Sequence, residues 1–428
     1  MRSFRFIHAA DLHLDSPFRG LAGLPEGLRE RVKEASFTAL RRLTDLAVRE
    51  KVDFVVFSGD IYDVKDRSLR AQLRFRQALE TLAGHWIPAF VIHGNHDPLH
   101  DGYSAKLTWP DGVKVFGSEE VESEVIRAVD GEALARISGI SFGRPSVTEN
   151  LTPGYRTWGD GLYHIGLLHT NVDGDAKHDD YAPCRLSDLL GRGVDYWALG
   201  HIHTRRVLHE KPWVVYSGNV QGRHIRENGP RGCYLVDVSP AGETVLSFHA
   251  LDDVRWQEAE AAIDDLETEQ QLMEALEEAV WAAVDAAEGR AVILRMKLTG
   301  RGPMHTVLRR SGVLAELGST LKESMSAGVQ NVWVESVEDG TGAPIDRSDL
   351  EGRPGFLGDL LRLAEEAGAA SQQLADFADD ALAPLSVQPR LAALLAEVGD
   401  EELAEWLREA EELAIDMLAG SAEARWSG

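Results

Sequence analysis

Short apolar runs alternate with helical patterns over the first 110 residues. Residues 6–10, 54–57 and 87–93 are apolar runs of strand length, and each predicts a buried strand. Between them, apolar residues recur at helical spacing over residues 28–51 and 68–83. This order of strand, helix, strand, helix and strand predicts parallel pairing, with functional loops at the carboxyl ends of the strands.

From residue 113 onward the pattern changes to short strands separated by turn signals such as Asp130-Gly131. We expect these strands to form a second sheet packed on the first. The predicted fold is α/β (α+β), with a two-layer β-sandwich core flanked by helices. The predicted strands cover residues 113–116, 124–129, 133–140, 163–168, 194–199, 213–217, 232–238 and 243–250.

Residues 251–340 have the pattern of a small α/β module, in which helices alternate with strands. Residues 338–344 combine glycine, proline and acidic residues and predict a linker. From about residue 354 the apolar spacing is helical. We therefore expect three parts, which are a domain over residues 1–250, an α/β cap module over 251–340 and an acidic helical tail over 341–428.

The negative charge of the chain lies mostly in its C-terminal part. The formal net charge is −26, but residues 1–250 hold 30 basic against 33 acidic side chains, whereas residues 251–428 hold 14 against 37. Because like charges repel a polyanion, a phosphate-binding surface is not expected in the C-terminal part without a partner. The N-terminal part is close to neutral, so bound metal ions can make it locally positive.

The composition predicts a globular cytoplasmic protein. The 428 residues are 44% hydrophobic and 27% charged, which is typical of soluble domains. The two cysteines, Cys184 and Cys233, form neither a disulfide framework nor a zinc-binding spacing, which favours idle thiols in a reducing compartment. We find no apolar stretch of membrane-spanning length and no signal-peptide pattern.

Five predicted strands end in side chains that can bind a metal ion. The carboxyl ends of neighbouring strands meet at one edge of a sheet, so these side chains are expected to lie together. Taken singly, each is more typical of a turn or of a satisfied histidine, but the ordered set of five predicts a metal site. The residues are Asp11, His13, Asp60, Asn95, His96, Asp97, His169, His201 and His203.

The spacing within these motifs suggests two cations. In Asp11-x-His13 and His201-x-His203 both side chains would lie on one side of an extended backbone, because the period of a strand is two. A carboxylate such as Asp60 can bridge two ions, and two divalent ions roughly 3.5–4 Å apart form the clamp used in phosphoester displacement. Mixed imidazole, carboxylate and amide ligands favour manganese or iron over magnesium or zinc.

The ordered set D-x-H, G-D, G-N-H-D, strand-H and G-H-x-H resembles the calcineurin-like metallophosphoesterase superfamily. The opening segment, from His8 to Phe18 (HAADLHLDSPF), is similar to SbcD-type DNA-repair exonucleases and most of all to their bacterial YhaO branch. These motifs cover about residues 5–205. The rest of the chain resembles the family only in layout, with a cap module followed by a helical tail.

This resemblance implies a role for each residue of the set. Two divalent metal ions are expected, both Mn2+. One would be held by Asp11, His13, Asp60 and His203. The other would be held by Asp60, Asn95, His169 and His201. His96 would stabilise the transition state or donate a proton, and Asp97 would orient it.

The implied function is a manganese-dependent DNA exonuclease or endonuclease that acts in DNA repair. The implied partners are single-stranded or duplex DNA and an SbcC-like or YhaN-like ATPase, with a homodimer as a further family-level expectation. One position departs from some nucleases of the family, because Asp63 stands where they place a second functional histidine. This departure weakens the inference that the enzyme cuts duplex ends.

Two other classes of function stay open from the sequence. One is a hydrolase of cyclic nucleotides or small phosphodiesters, against which the long C-terminal region argues. The other is a scaffold that regulates an ATPase through its tail, against which the intact ligand set argues. Further substrate contacts are possible at His178, Arg205, Arg206 and Trp406, although surface charge, a solvated loop or helix packing explains each of them as well.

The helical tail carries apolar stripes that pack either within the chain or on a partner helix. The stripes are Leu403, Trp406, Leu407 and Met417, and Leu357, Leu360 and Leu361.

Overall fold

The computed structural model describes residues 2–21, 23–63, 68–100, 107–128, 130–175, 179–328, 331–344, 356–368, 371–388, 391–392, 395 and 398–426. Two six-stranded sheets form the core of the N-terminal part. This arrangement confirms the predicted α/β fold with a two-layer sandwich flanked by helices.

The first sheet is built on the apolar runs at the start of the chain. Strands β1 (Phe4–Ala9), β2 (Phe54–Ser58), β3 (Ala89–Ile92) and β4 (Val113–Val115) pair in parallel in that order. The connections from β1 to β2 and from β2 to β3 contain the predicted helices, and parallel pairing requires such crossovers.

These two helices are α1 (Glu26–Glu50) and α2 (Leu69–Gly84). One face of α1 is buried, including Leu40 and Leu43, and packs with the outward side chains of the first sheet. The C-cap residue of this helix is Lys51, whose φ of 51° lies in the left-handed region. Helix α2 is capped at its N-terminus by Ser68, whose side chain accepts a hydrogen bond from the Ala71 backbone N–H.

The second sheet has the strand order β5-β6-β7-β8-β10-β9. Its parallel centre consists of β6 (Ala133–Gly139), β7 (Tyr163–His169), β8 (Tyr196–Gly200) and β10 (Trp213–Tyr216). The two edge strands are antiparallel. They are β5 (Glu122–Arg127) and β9 (Arg206–Glu210).

The prediction that every strand after residue 113 joins the second sheet was wrong for three of them. Strand β4 extends the first sheet beside β3. Strand β11 (Gly232–Val238) lies antiparallel to β1 and is followed by β12 (Thr244–Ala250), antiparallel to β11. The alternation of side chains shows that a segment is a strand, but its pairing partner is set by tertiary packing.

The inward side chains of the two sheets form one apolar cluster. Phe6, Phe54 and Phe90 of the first sheet pack with residues such as Ile165 and Leu167 of the second. His8 of β1 also lies in this layer. Its Nε2 donates to the Leu199 carbonyl at 3.2 Å and its Nδ1 accepts from the Tyr196 hydroxyl at 3.0 Å, so a neutral ring satisfies both contacts.

A third sheet follows the sandwich, with the order β13-β14-β15. Its strands are β13 (Val254–Ala262), β14 (Ala291–Thr299) and β15 (Val332–Asp339). Helix α4 (Glu269–Ala286) joins the first two strands, and α5 (Met304–Leu308) and α6 (Val313–Gly328) join the last two. The short helix α3 (Leu186–Leu190) precedes β8. Strands β9 and β13 were not among the predicted strands.

The C-terminal part is helical, as expected, with α7 (Phe356–Gly368), α8 (Ser371–Ser386) and α9 (Asp400–Trp426). The chain forms two compact units. One comprises Met1–Ala259, Val280–Arg295 and Lys322–Ser336, and the other Glu260–Ala279, Met296–Leu321 and Val337–Gly428. The predicted three-part division stays a prediction. Among the described residues, no helix combines the length and apolar character needed to cross a membrane.

Candidate metal centre

The predicted ligands lie at the carboxyl ends of β1, β2, β3, β7 and β8, so both sheets contribute to one site. Several of them have backbones in the left-handed region. The φ angles are 51° at Asp11, 42° at His13, 52° at Asp60 and 98° at His201. Non-glycine residues adopt such angles at a cost of order 1–3 kcal/mol each, and functional sites concentrate them.

These angles correct the predicted geometry of the motif pairs. Asp11 and His13 are adjacent in space because the chain turns, and not because an extended strand places them on one side. Backbone hydrogen bonds hold the turn, since the Asp11 N–H donates to the Gly59 carbonyl and the His13 N–H to the Asp60 carbonyl, each at 3.0 Å. The loops after β1 and β2 are thus tied together.

One half of the site is formed by His13 and His203. Their Nε2 atoms lie 3.1 Å apart. Each ring directs its other nitrogen at a carboxylate, with His13 Nδ1 3.2 Å from Asp63 Oδ1 and His203 Nδ1 2.6 Å from Glu227 Oε1. The carboxylates accept the Nδ1 protons, which leaves two Nε2 lone pairs facing each other.

The other half is formed around His169. Its Nε2 lies 3.0 Å from Asn95 Oδ1 and 3.4 Å from Asp60 Oδ2. The same Asp60 oxygen is 3.7 Å from His13 Nε2, so this carboxylate lies between the two halves. Asp11 also lies between the two halves. Its carboxylate forms one cluster with His13 and His203 and a second cluster with Asp60 and His169. Within each cluster the donor atoms lie within 4.8 Å of one another.

His201 borders the second half. Its ring centroid is 5.3 Å from that of His169, and its Nε2 contacts the Asp179 carbonyl at 2.8 Å. Its backbone N–H donates to both Asp11 oxygens, at 3.0 and 3.2 Å. His201 therefore positions Asp11 through its backbone, and its assignment as a metal ligand stays a prediction.

His96 lies at the open side of the site, with 38% of its side chain exposed. Its Nδ1 contacts Asp63 Oδ1, and its ring centroid is 4.9 Å from that of His13. Asp63 therefore contacts the Nδ1 atoms of both His13 and His96. Ser16 Oγ and the Arg223 guanidinium, the latter at 3.6 Å, approach the other Asp63 oxygen.

The predicted role of Asp97 as the partner of His96 is corrected by these contacts. One Asp97 oxygen accepts from the Gly94 N–H at 2.7 Å and the other from the Ile61 N–H at 2.8 Å. His93 Nδ1 is 3.1 Å from the second oxygen. Asp97 thus joins the loops after β2 and β3 through hydrogen bonds to their backbones. The carboxylate that contacts His96 is Asp63 instead.

Sequence reasoning missed three residues that surround the ligands. Asp63 was noted only as a departure, and Glu227 and Arg223 were not noted at all. Glu227 Oε2 accepts from the Arg223 backbone N–H at 2.7 Å, and Arg223 Nη2 is 3.7 Å from Glu227 Oε1. The G-D-x-x-D spacing was the available signal for Asp63. Glu227 lies 24 residues after His203 and carries no spacing signal.

The electrostatics of the two halves differ. Burial lowers the pKa of His13 and takes that of His203 to about 3, so both rings are neutral near pH 7. Burial raises the pKa of Asp11. Burial would also raise the pKa of Asp60 and lower that of His169, but their mutual attraction outweighs it, lowering the former and raising the latter to about 9.

His96 differs again from the ligand histidines. Burial alone would lower its pKa, but the charges of Asp60 and Asp63 outweigh burial and raise it. The two carboxylates therefore shift the ring towards the protonated form, which is the form that a proton donor needs.

Three glycines enclose the His169 ring. A Cβ on Gly59 would lie 2.5 Å from His169 Nδ1, and one on Gly200 would lie 2.9 Å from the same atom and 2.0 Å from the Ser58 carbonyl oxygen. A Cβ on Gly94 would lie 2.7 Å from His169 Cε1 and 2.3 Å from Asp60 Oδ1. These positions need glycine because functional atoms occupy the space of a side chain.

The donor set fits a pair of divalent cations. Two facing lone pairs 3.1 Å apart repel each other unless a cation lies between them, and two nitrogens that ligate one ion at about 2.1 Å lie at such a distance. The protonated His169 ring beside Asp60 is also consistent with a cation site, because a cation that binds there replaces the proton. His13 and His203, with Asp11 and Asp60, would hold one ion; Asp60, Asn95 and His169 would hold the other.

Arg206 is 3.7 Å from Asp175. His178 lies outside the described residues. Arg205 borders a groove that also reaches His203.

Comparison with known proteins agrees with this site. The calcineurin-like phosphoesterase family matches residues 4–205, and the middle domain of the metallophosphoesterase YhaO matches residues 256–342. The chain is 38% identical over 347 residues to the uncharacterized metallophosphoesterase YhaO of Bacillus subtilis, covering 81% of this chain and 84% of that protein.

More distant relatives are DNA double-strand break repair proteins. Mre11 of Thermoplasma acidophilum is 31% identical over 59% of this chain, and Mre11 of Saccharolobus solfataricus is 27% identical over 55%. The matches span 66% and 60% of those proteins. The family uses a dinuclear divalent metal site, and the donor groups present here support a metal-dependent hydrolase. The chain belongs to the calcineurin-like metallophosphoesterases, in the branch that carries the YhaO middle domain.

Proposed function

We propose that this protein is a manganese-dependent DNA nuclease that hydrolyses phosphodiester bonds. The observation that carries the proposal is that His13 and His169 both approach the same Asp60 oxygen, with His203 beside His13, Asn95 beside His169 and His96 at the open side. The resemblance to Mre11 proteins supports DNA as the substrate. Mixed nitrogen and oxygen donors favour manganese.

The chain's own residues prepare the site for an in-line displacement at phosphorus. When bound, two divalent cations supply Lewis-acid stabilisation of charge on the phosphoryl oxygens. Asp63 fixes the His13 ring so that Nε2 faces the cation position, and it holds His96 by Nδ1. His96 Nε2 then carries the proton for the departing alkoxide, which leaves as an alcohol.

The test is an assay of the purified protein with manganese on single-stranded DNA, duplex DNA and a small aryl phosphodiester. We expect cleavage of single-stranded DNA that stops with EDTA and returns with Mn2+. Hydrolysis of the small diester without cleavage of any DNA would instead identify a small-molecule phosphodiesterase. Failure on all three substrates would favour a regulatory scaffold.

We also propose that the tail docks an SbcC-like or YhaN-like ATPase. Trp406, Leu413 and Met417 are spaced by seven and four residues on α9, which places them on one face, and their exposures are 38%, 61% and 68%. The face is flanked by acidic residues, which favour a basic partner and disfavour DNA.

The two predicted stripes are divided between internal packing and exposure. Leu361 is fully buried, and the Leu407 side chain lies 3.7 Å from the Cβ position of Gly368 on α7. Leu403 and Leu360 are half-buried, and nothing is described for the side chain of Leu357. The docking proposal therefore rests on Trp406, Leu413 and Met417.

The docking test is co-purification of the full chain with the ATPase. We expect Leu413→Glu and Met417→Glu to abolish the complex, whereas Arg408→Gln, exposed on the opposite side of α9, should preserve it. A chain ending near Asp339 should keep manganese-dependent activity on short single strands and lose the partner. If both Glu variants form the complex at full strength, the docking site lies elsewhere.

A further inference from the structure

A groove of about 370 Å³ adjoins the metal centre on the side of His203. The loops after β8 and β10 and the start of β11 form it, and Phe248 of β12 lies at its wall. His203 lines the groove and also belongs to the predicted metal site, so the groove and the site meet at this residue. We call it the basic groove, for the arginines that line it, which are Arg205, Arg226 and Arg231.

The lining of the basic groove contains three guanidinium groups and no aspartate or glutamate. In the described part of the chain, none of the three forms an ion pair with a carboxylate. Arg231 is buried and donates to the carbonyls of His203 and Asn228, at 2.6 and 2.8 Å. The described hydrogen-bond acceptors of this guanidinium are neutral oxygens, and the two carboxylates that act on its charge, Glu227 and Asp252, are not part of the groove lining. The lining itself is therefore electropositive.

The other two arginines are placed to reach a ligand. Arg205 donates one hydrogen bond, to the Pro230 carbonyl at 2.9 Å, and its guanidinium lies 4.1 Å from the centre of the Phe248 ring. Arg226 is exposed, and its guanidinium forms no hydrogen bond or ion pair with the residues that the structure describes. A planar guanidinium with spare N–H donors is suited to phosphate oxygens.

We propose that the basic groove binds the phosphodiester next to the scissile one on a single DNA strand. This inference rests on the proposed nuclease function and deepens it, because it makes a strand with at least two phosphates the preferred substrate. A small diester has one phosphate, which the metals occupy, and cannot use the groove. The chain as a whole has a net charge of −26, so an electropositive groove at the site is where a polyanion can approach.

The first measurement is binding without catalysis. A fluorescein-labelled single-stranded oligonucleotide is titrated by anisotropy in EDTA at several NaCl concentrations, against wild type, Arg205→Gln, Arg226→Gln and the double variant. Each groove variant should weaken binding about 3–10-fold at low salt and reduce the salt slope by about 0.7. Arg76→Gln is the matched control, since Arg76 of α2 keeps 40% of its side chain accessible and, among the described residues, pairs with Glu80.

The second measurement compares two substrates with manganese bound. The loss of kcat/KM in the groove variants should be larger on the oligonucleotide than on the small aryl diester. Equal losses on both substrates would show that the arginines only support the metal site and would overturn the proposal. Displacement of the oligonucleotide by poly-L-glutamate at equal charge would also overturn it, because the groove would then bind acidic polypeptide.

Failure of this inference is distinguishable from failure of the nuclease function. If wild type cleaves DNA and the groove variants bind it as Arg76→Gln does, the groove proposal fails and the nuclease stands. If wild type cleaves no DNA but loses DNA binding through Arg205→Gln and Arg226→Gln, the groove stands and the nuclease fails.

Discussion

At the scale of single residues, Asp60 has the most demanding position, because one oxygen lies 3.7 Å from His13 Nε2 and 3.4 Å from His169 Nε2. We predict that Asp60→Asn weakens manganese binding by at least roughly 10–100-fold, which is the loss typical when a residue that only supports a metal ligand is mutated. An amide keeps the shape but loses the full charge between two cations. Calorimetric titration measures this, with Asp45→Asn, exposed on α1, as the control. Unchanged stoichiometry and affinity would show that Asp60 does not bridge.

His96→Gln should separate chemistry from metal binding. Positioned acid catalysis contributes about 10²–10⁴-fold, so kcat on DNA should fall by that factor while calorimetry still reports wild-type manganese binding. His100→Gln, four residues later and exposed, should change neither quantity. Wild-type turnover of His96→Gln at saturating manganese would exclude His96 as the donor.

Asp63→Asn and Asp97→Asn form a matched pair that tests which carboxylate supports His96. Asp63 contacts the Nδ1 atoms of His13 and His96, so its loss should lower both metal affinity and kcat, by about 10–100-fold in affinity. Asp97 accepts two backbone N–H groups, so its loss should lower the unfolding temperature. The opposite pattern, with catalysis following Asp97, would restore the role predicted from the sequence.

The sequence could predict the ligand types at this scale because they follow strand ends in a fixed order. It could not predict which carboxylate meets which ring. The resemblance implied that Asp97, which follows His96 in the chain, orients its ring. The contact belongs to Asp63, which is 33 positions earlier and lies on another loop.

At the scale of elements, His8 connects β1 to β8 through Tyr196 and Leu199. Burial lowers the pKa of His8 to about 3, against 6.5 in the unfolded chain. The folded state resists protonation, so the stability that the neutral ring contributes is complete above pH 6.5 and is lost as the pH falls from 6.5 towards 3. The maximum slope is about 1.4 kcal/mol per pH unit.

We predict that His8→Gln flattens this dependence, because glutamine can keep both hydrogen bonds and does not titrate. Urea unfolding in EDTA at several pH values between 4 and 8 measures the slope. His85→Gln removes an exposed histidine and should leave the slope as in wild type. An unchanged slope in His8→Gln would show that His8 does not control the acid sensitivity of the sandwich.

The local pattern of apolar residues was sufficient to locate most helices and strands but not to predict which strands pair. Helices α1 and α2 were placed within two residues of their observed bounds, because long amphipathic periods are strong signals. Strand β9 was missed since its sequence, RVLHE, has charged ends and lies on an edge. The sheet to which β4 and β11 belong depends on contacts with distant strands, which alternation does not encode.

At the scale of the whole molecule, the site unites loops from residue 11 to residue 203, so the unfolded chain offers no comparable cluster. Manganese should therefore stabilise the fold by mass action, by about 2.7 kcal/mol at one hundred times its Kd. Calorimetric scans with Mn2+ and with EDTA measure the rise in unfolding temperature. An equal rise in Asp60→Asn would show that manganese acts elsewhere on the chain.

The glycine enclosure of His169 implies an asymmetry in how this centre can change its metal preference. His169 lies against three positions that have room only for glycine. Substitutions of Gly59, Gly94 or Gly200 would therefore disrupt the site before they could change its metal preference. In the other half, the rings of His13 and His203 are held by the side chains of Asp63 and Glu227, which mutation can replace. Engineering or natural drift towards another cation would therefore proceed through the His13 and His203 half, while the His169 half stays fixed.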